Sequence, residues 1–395
     1  MKKRIAINPF SVFFFLILLL ILVYSLGWSE VCPPLSSGMW TIFLIILVSL
    51  FFLSKVYEKK FPIEQFKNEA FEINKSLWGS IALFSMIVEF IYEKSIPIVD
   101  ILILKNGYNY VDFEGIPIFH VFAVTFTSFF GLYLWDQFLL KKKWTDILMS
   151  LFFISYPIML FNRGGLIMNI CTLFFIFILR KREIILSSKI VIQFVIVGTI
   201  LLYGFGIFGN IRSSHLFPIG KEYTNTEYIL ITGQATEEFK NSNIPKPFFW
   251  AYLYASTPIA NLQNIVQEME PTNDTVLFIT QTMVPDFIAK RIEKKIDRKV
   301  PEDALVNPVF NVSTFFAPAY KLQGVIGLFL IFYFYVILIF VYSSLMKKLN
   351  TTKIVGLSIL YTITIFNLFT NMMIFSGLSF QLFYPIMFWI YKKIK

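Results

Sequence analysis

Long apolar runs alternate with short polar connections along this chain. The runs cover residues 9–26, 38–54, 77–91, 118–140, 144–161, 166–179, 186–208, 322–344, 354–368 and 378–391. Most approach the roughly 20 residues that carry an α-helix across a hydrocarbon core. The pattern predicts an all-α, polytopic integral membrane protein with about ten transmembrane helices and one large extracytoplasmic loop. Three stretches make up this single membrane domain: helices one to seven over residues 1–209, the large loop over 210–321, and helices eight to ten over 322–395.

Inside the loop, the aromatic run 248–254 leads into residues 256–262, too short and polar to cross, which reads as an interfacial segment. Further on, Pro285 and Asp286 open a predicted helix in which Ile288, Ile292 and Ile296 recur every four residues. Lys290, Arg291, Lys294, Lys295, Arg298 and Lys299 fill its other face, the pattern of a basic amphipathic helix suited to anionic lipid or to a pyrophosphate headgroup.

Charge adds direction to the pattern, because short basic loops stay in the cytoplasm. Lys2, Lys3 and Arg4 begin the chain, and every second connection is basic: 55–75, 141–143, 180–189, 347–353 and 392–395. The side they define holds 21 of the 35 Lys and Arg but only six of the 25 Asp and Glu: Glu58, Glu64, Glu69, Glu72, Glu183 and, just past the 141–143 connection, Asp146. Both termini are thereby expected in the cytoplasm, and the net charge of +10 reads as a topology signal rather than as affinity for nucleic acid. The first run has the basic and apolar regions of a signal peptide without a small-x-small cleavage site, and reads as an uncleaved helix.

Composition agrees, with 56% hydrophobic and 15% charged residues. Cys32 and Cys171 are isolated, His120 and His215 are the only histidines, and no Gly-rich phosphate loop occurs, so no metal site, cofactor or nucleotide apparatus is expected. The span centres are nearly free of charge. Glu89 lies near the outer end of the third run and Asp136 near the inner end of the fourth. An ionised group at mid-bilayer costs about 2.5–3.5 kcal/mol, and carriers use such groups along their path, so the clean centres disfavour transport and point to chemistry at the outer face.

Four outer segments hold the candidate residues. The loop 93–119 carries Lys105, Tyr108, Tyr110, Asp112 and Glu114. At the turn between runs five and six, Asn162-Arg163-Gly164-Gly165 sets an arginine against the inside bias, at a helix N-terminus whose partial positive charge adds to the guanidinium. Its planar fork suits phosphate, although an arginine snorkelling to lipid headgroups has the same placement. Gly209-Asn210-Ile211-Arg212-Ser213-Ser214-His215 leaves the seventh run, and Arg212 could face Arg163 across a shared pocket. The fourth segment is the loop itself, ending in Asn311-Val312-Ser313-Thr314 and Tyr320, polar and aromatic groups able to orient sugar hydroxyls.

The order of these segments resembles the Wzy-type polymerases that join lipid-linked oligosaccharide repeat units into O-antigen, capsule or related polysaccharide. The likeness rests on the run count, Arg163-Gly164, Asn210 to Arg212, residues 254–262 and residues 311–327 in that order. One departure is Lys321-Leu322-Gln323, where many relatives carry an acid before the first glycine of the eighth span. The resemblance implies a fold related to the C-type glycosyltransferases and inverting, extracytoplasmic glycosyl transfer from undecaprenyl pyrophosphate in the bacterial cytoplasmic membrane. It further implies a chain-length regulator and a flippase as pathway partners, besides the lipid-linked oligosaccharide and membrane lipids.

On that basis Arg163 and Arg212 are expected to neutralise pyrophosphate charge, with Lys290 and Arg291 in support, and turnover is expected to be metal-independent. Gly164, Asn210, Asn311, Thr314 and Tyr320 are expected to contact substrate. Asp100, Asp112, Glu114, Asp286 and His215 lie on the correct side to act as base; Asp286 and His215 rank first for standing in the large loop near the basic groups. An O-antigen ligase shares the plan, and a flippase is the non-enzyme alternative.

Overall fold

The computed structural model describes residues 7–67, 71–106, 108–109, 112–181, 188–213, 226–296, 298–349 and 351–394, without the side chains of 188–191 and 194. The described residues are helical apart from turns and one isolated antiparallel bridge between Ser29 and Ala235. The longer helices are α1 (Pro9–Tyr24), α2 (Ser37–Lys60), α3 (Lys75–Glu93), α4 (Phe119–Lys141), α5 (Trp144–Ile154), α6 (Arg163–Arg180), α7 (Ser188–Ser213), α8 (Phe248–Glu268), α9 (Thr275–Thr282), α10 (Asp286–Ile296), α11 (Phe316–Lys348), α12 (Lys353–Phe366) and α13 (Tyr384–Ile394).

Five helices are long and apolar enough to cross a membrane: α2, α3, α6, α11 and the Val195–Ser213 part of α7. Shorter apolar helices cover Pro9–Tyr24, Trp144–Met159 and Lys353–Phe366. Their outward faces are also apolar, as at Phe15, Leu44, Phe52, Phe84, Leu201 and Ile337, all exposed. A helix that is hydrophobic all round belongs in a core or in lipid, and water-facing surfaces do not carry such continuous apolar area.

Two helices lie at the centre. Residues 125–134 of α4 are all buried, and so is α12 from Lys353 to Thr364. α4 packs on α3, α5 and α6, while α12 packs on α1, α6 and α11. Polar side chains at the centre face inward, and several bond across helices. Asn169 Nδ2 donates to Ser128 Oγ at 3.1 Å, Thr172 and Thr362 hydroxyls meet at 2.8 Å, and those of Thr125 and Tyr384 at 2.7 Å. Such bonds average about 0.6 kcal/mol in membrane bundles, so they select registers more than they supply stability.

Several boundaries differ from the hydropathy reading. The run 144–161 breaks after Ile154, and a short helix Tyr156–Met159 follows with Pro157 in its first turn. The last run is likewise divided, into Ser376–Ser379, Phe380–Phe383 and α13. The tetrapeptide Tyr-Pro-Ile-Met stands at both interruptions, at 156–159 and 384–387, and each tyrosine is fully buried. α11 begins at Phe316, inside the stretch assigned to the large loop, and kinks at Gln323 and Gly324. Gly324 has φ +60°, a conformation that only glycine adopts freely, and Lys321 O accepts Thr272 N at 3.0 Å beside the kink.

Residues 256–262, read as interfacial, are buried in α8, which packs on α1, α7 and α11. Thr257 Oγ1 donates to Leu253 O at 2.8 Å, and the side-chain amides have partners farther along the chain. Asn261 Nδ2 donates to Phe310 O at 2.6 Å and to Val312 O at 2.8 Å, its Oδ1 accepts Val306 N at 2.9 Å, and Asn264 Nδ2 reaches Ala304 O at 3.0 Å. An asparagine that looks wet in sequence is thereby the brace for residues 304–312.

Basic connections gather at one end of the bundle. Lys67 Nζ donates to Lys181 O at 3.1 Å, Lys141 pairs with Glu72, Lys75 with Asp146 at 2.5 Å, Lys392 lies over Phe71, and Lys60 over Phe340.

Candidate functional site

Arg163 begins α6, and Asn162 caps that helix by accepting Gly165 N at 2.9 Å. Its guanidinium lies 5.6 Å from the Phe161 ring, is exposed, and has no carboxylate partner among the described residues. Arg180, at the other end of the same helix roughly 25 Å away by helical rise, is held bidentately by Asp136. One helix thus carries a neutralised arginine at its C-terminus and an open one at its N-terminus. A Cβ on Gly164 would meet nothing closer than 3.5 Å, whereas Gly165 is tight against Pro157 and Asn162 at 3.2 Å. Gly165 therefore serves the packing of the turn, and Gly164 is free of steric demand.

Arg212, in the last turn of α7, lies 5.7 Å over the Trp250 ring of α8. Asn210, expected to touch substrate, is buried and accepts Trp250 Nε1 at 2.8 Å, so its side chain joins two helices. α7 packs on α8 and α6 on α12, and no described hydrogen bond or ring contact links Arg163 to Arg212. The shared pocket expected between them is not formed by any described contact. His215 lies outside the described residues.

In the large loop, α10 forms as expected with Lys290 and Arg291 exposed, Ala289 buried and Ile288 on the outside. Asp286 is not a free carboxylate. It accepts Ser376 N at 3.1 Å and the Ser376 hydroxyl, while its own N–H donates to Ile374 O at 2.8 Å. It ties α10 to the turn Ser376–Ser379, which packs on α4 and α6. Of the exit residues, Asn311 is exposed, Thr314 is buried with an unpartnered hydroxyl, and Tyr320 OH donates to Val266 O at 2.9 Å. Tyr320 acts there as a clasp between α11 and α8. Lys321, the departure from the resembling family, is buried and pairs with Asp303 while Nζ donates to Pro301 O at 2.8 Å.

The best-defined polar constellation was not picked out by the sequence. Glu89 of α3 is fully buried, and its Oε2 lies 2.5 Å from His120 Nδ1 at the start of α4. Ile116 N donates to Glu89 Oε1 at 3.1 Å, and Gly115 N to Glu93 Oε1 at 2.6 Å. Gly115 has φ +67°, and a Cβ there would overlap Glu89 Oε2 and His120 Nδ1. Ile118, a β-branched residue, is held at φ +72° just before His120. Non-glycine residues persist in that region only where the surroundings force them, and such strain concentrates at functional sites. Buried Tyr156 stacks edge-on against Phe90 at 5.8 Å, with its hydroxyl unpartnered, and leads through Pro157 into the Arg163 turn. Pro97–Val99 packs on Tyr156–Met159, which joins the two sides of this corner.

Asp100, a further carboxylate of the corner, is committed. Asp100 accepts from the Ser95 hydroxyl, Ile96 N and Asn106 Nδ2, and the Ser95 hydroxyl above all holds its carboxyl below the ordinary range. Among the described residues no three His, Cys, Asp or Glu side chains converge as a metal-binding group. The signal for the Glu89–His120 pair was present as a carboxylate inside an apolar run and a rare histidine opening another, but 31 positions separate them.

Compared with protein-family models, curated proteins and solved structures, the chain matches none.

Proposed function

We propose that this protein is a polysaccharide repeat-unit polymerase of the outer face of the bacterial cytoplasmic membrane. In this reading the ten apolar runs cross the bilayer, both termini and the basic end face the cytoplasm, and the Arg163 turn, the Glu89–His120 corner and residues 210–321 face outward. A growing glycan on undecaprenyl pyrophosphate offers its anomeric carbon to a hydroxyl of an incoming lipid-linked unit. The new carbon–oxygen bond forms on one side of the sugar as the bond to phosphate breaks on the other, inverting the centre. The lipid pyrophosphate departs with the electron pair.

The observation that carries the reading is Arg163: an exposed guanidinium without a carboxylate partner among the described residues, at a capped helix N-terminus, at the end of α6 opposite its paired Arg180. Backbone dipole and side chain together favour a pyrophosphate oxygen. Removing one preorganised donor aimed at developing negative charge costs on the order of 10²–10³ in rate where oxyanion holes have been probed. Arg212, Lys290 and Arg291 extend the positive surface as separate groups, and the protein's remaining task is to hold two lipids in register. No step of this scheme draws on a metal.

Deletion followed by electrophoresis of surface glycan tests the proposal. A ladder collapsing to a single capped repeat unit is the expected result. Loss of glycan attachment with polymer intact would indicate a ligase, and disappearance of outward-facing repeat units a flippase. Either outcome removes the polymerase reading.

A further inference from the structure

We propose that His120 takes the proton from the acceptor hydroxyl and that Glu89 is its positioning residue, a step that rests on the transferase reading above. A carboxylate with no exposure is kept only where fixed partners balance its lost hydration. Glu89 has two: the Ile116 amide on Oε1 and the His120 ring on Oε2. That leaves Nδ1 occupied and the imidazole 29% exposed, with no partner at Nε2 among the described residues. A carboxylate behind one ring nitrogen fixes the orientation of the other, the arrangement by which imidazoles serve as bases.

The surrounding backbone is built to this pair. Gly115 passes so close that no larger residue fits, Glu93 anchors the Gly115 amide, and the strained Ile118 turns the chain into α4 with His120 in its first turn. Phe113, 5.8 Å from the imidazole, and Phe90 form an aromatic wall, and the Tyr156 turn carries the corner on to Arg163. Asp112 and Glu114 of the same loop are exposed. The Tyr156–Met159 segment packs on both α4 and α6, and so joins the helix that opens at the proton acceptor to the helix that opens at Arg163, the two functions the transfer needs. The acceptor O–H bond breaks toward Nε2 as its oxygen bonds to the anomeric carbon. The proton passes afterwards to water or to the departing pyrophosphate.

The test uses the full chain in proteoliposomes, supplied with repeat units on undecaprenyl pyrophosphate extracted from a strain lacking this protein. Elongation by the unmodified protein comes first, since its absence would end the transferase reading and not the choice of base. Given elongation, His120→Ala should lower kcat at least 100-fold with KM within about twofold, and added imidazole should restore part of the rate. Glu89→Gln should lower kcat with KM likewise unchanged. Folded His120→Ala or His120→Gln protein that elongates within tenfold of the parent overturns the proposal. Should neither variant fold, diethylpyrocarbonate on the unaltered protein decides. Inactivation must track carbethoxylation of the His120 peptide and be slowed by substrate, and activity that survives full His120 modification refutes it.

Discussion

Asp136 receives Nε and one terminal nitrogen of Arg180, at 2.6 and 2.7 Å, with both side chains largely withdrawn from solvent. The pair links α4 to α6 at the basic end, where a lone charge of either sign would be costly. Asp136→Ala should destabilise the protein by about 3–5 kcal/mol, whereas removing both partners should cost less, because no uncompensated charge is left behind. Thermal unfolding of the two variants in detergent micelles checks this; a double variant less stable than Asp136→Ala would show the pair to be worth more than the isolated charge it neutralises.

Gly115 serves two constraints at once, a left-handed backbone and the absence of a Cβ beside Glu89 and His120. Gly115→Ala should therefore cost more than the roughly 1–3 kcal/mol typical of an unfavourable φ alone. It should also weaken the Glu89–His120 contact. Comparison with Gly164→Ala, where a methyl group has room, isolates the effect: that second variant should melt within about 1 kcal/mol of the parent.

Arg163 and Arg212 sit on different helix pairs, so their losses of activity should multiply. If each alanine variant reduces elongation tenfold, the double variant should lose roughly a hundredfold, the behaviour of sites without shared partners. A double variant no worse than the poorer single variant would mean that both arginines grip the same phosphate. Arg163→Lys should recover little, because an ammonium lacks the planar fork.

Asp274 caps α9 through Val276 N and Leu277 N, both at 3.0 Å, and pairs with Arg298 at 2.9 Å. The Leu277 amide first, then the Arg298 charge, holds its carboxyl below the ordinary range against the opposing effect of burial. A depressed carboxyl stabilises the fold fully above its unfolded value, about 3.9, and the contribution disappears as pH falls through the lower folded value. Melting temperature should thus fall on acidification less steeply in Asp274→Asn than in the parent below pH 4, and the two curves should run parallel above pH 6.

Cys32 is buried in the turn after α1, and burial pushes its thiol up to about 12. Maleimide at pH 8 should label it slowly in the folded protein and rapidly after unfolding in SDS, since the thiolate is the reactive form. Rapid labelling of the folded chain would contradict its burial. The proposed outward placement of residues 210–321 needs a different reporter, such as a cysteine introduced at exposed Lys290.

The apolar runs by themselves determined where the helices outside residues 210–321 lie. Each of the ten falls on one or more of the helices described, because helix formation is local and a long apolar run leaves the backbone few other ways to satisfy its own hydrogen bonds. The described basic connections likewise came together at one end of the bundle. Arg163 and its cap could be read from four adjacent residues, Asn162 to Gly165, for the same reason. Tertiary packing decided the rest. Glu89 finds His120 across 31 residues, Asp286 finds Ser376 across 90, and Asn261 finds Val312 across 51. Such pairs carry no local pattern: a carboxylate or amide looks alike in sequence whether it meets water, a substrate or a neighbouring helix. Only the folded arrangement determines which buried polar group has a partner to offset its lost hydration, and hence which is a brace and which is left free to act.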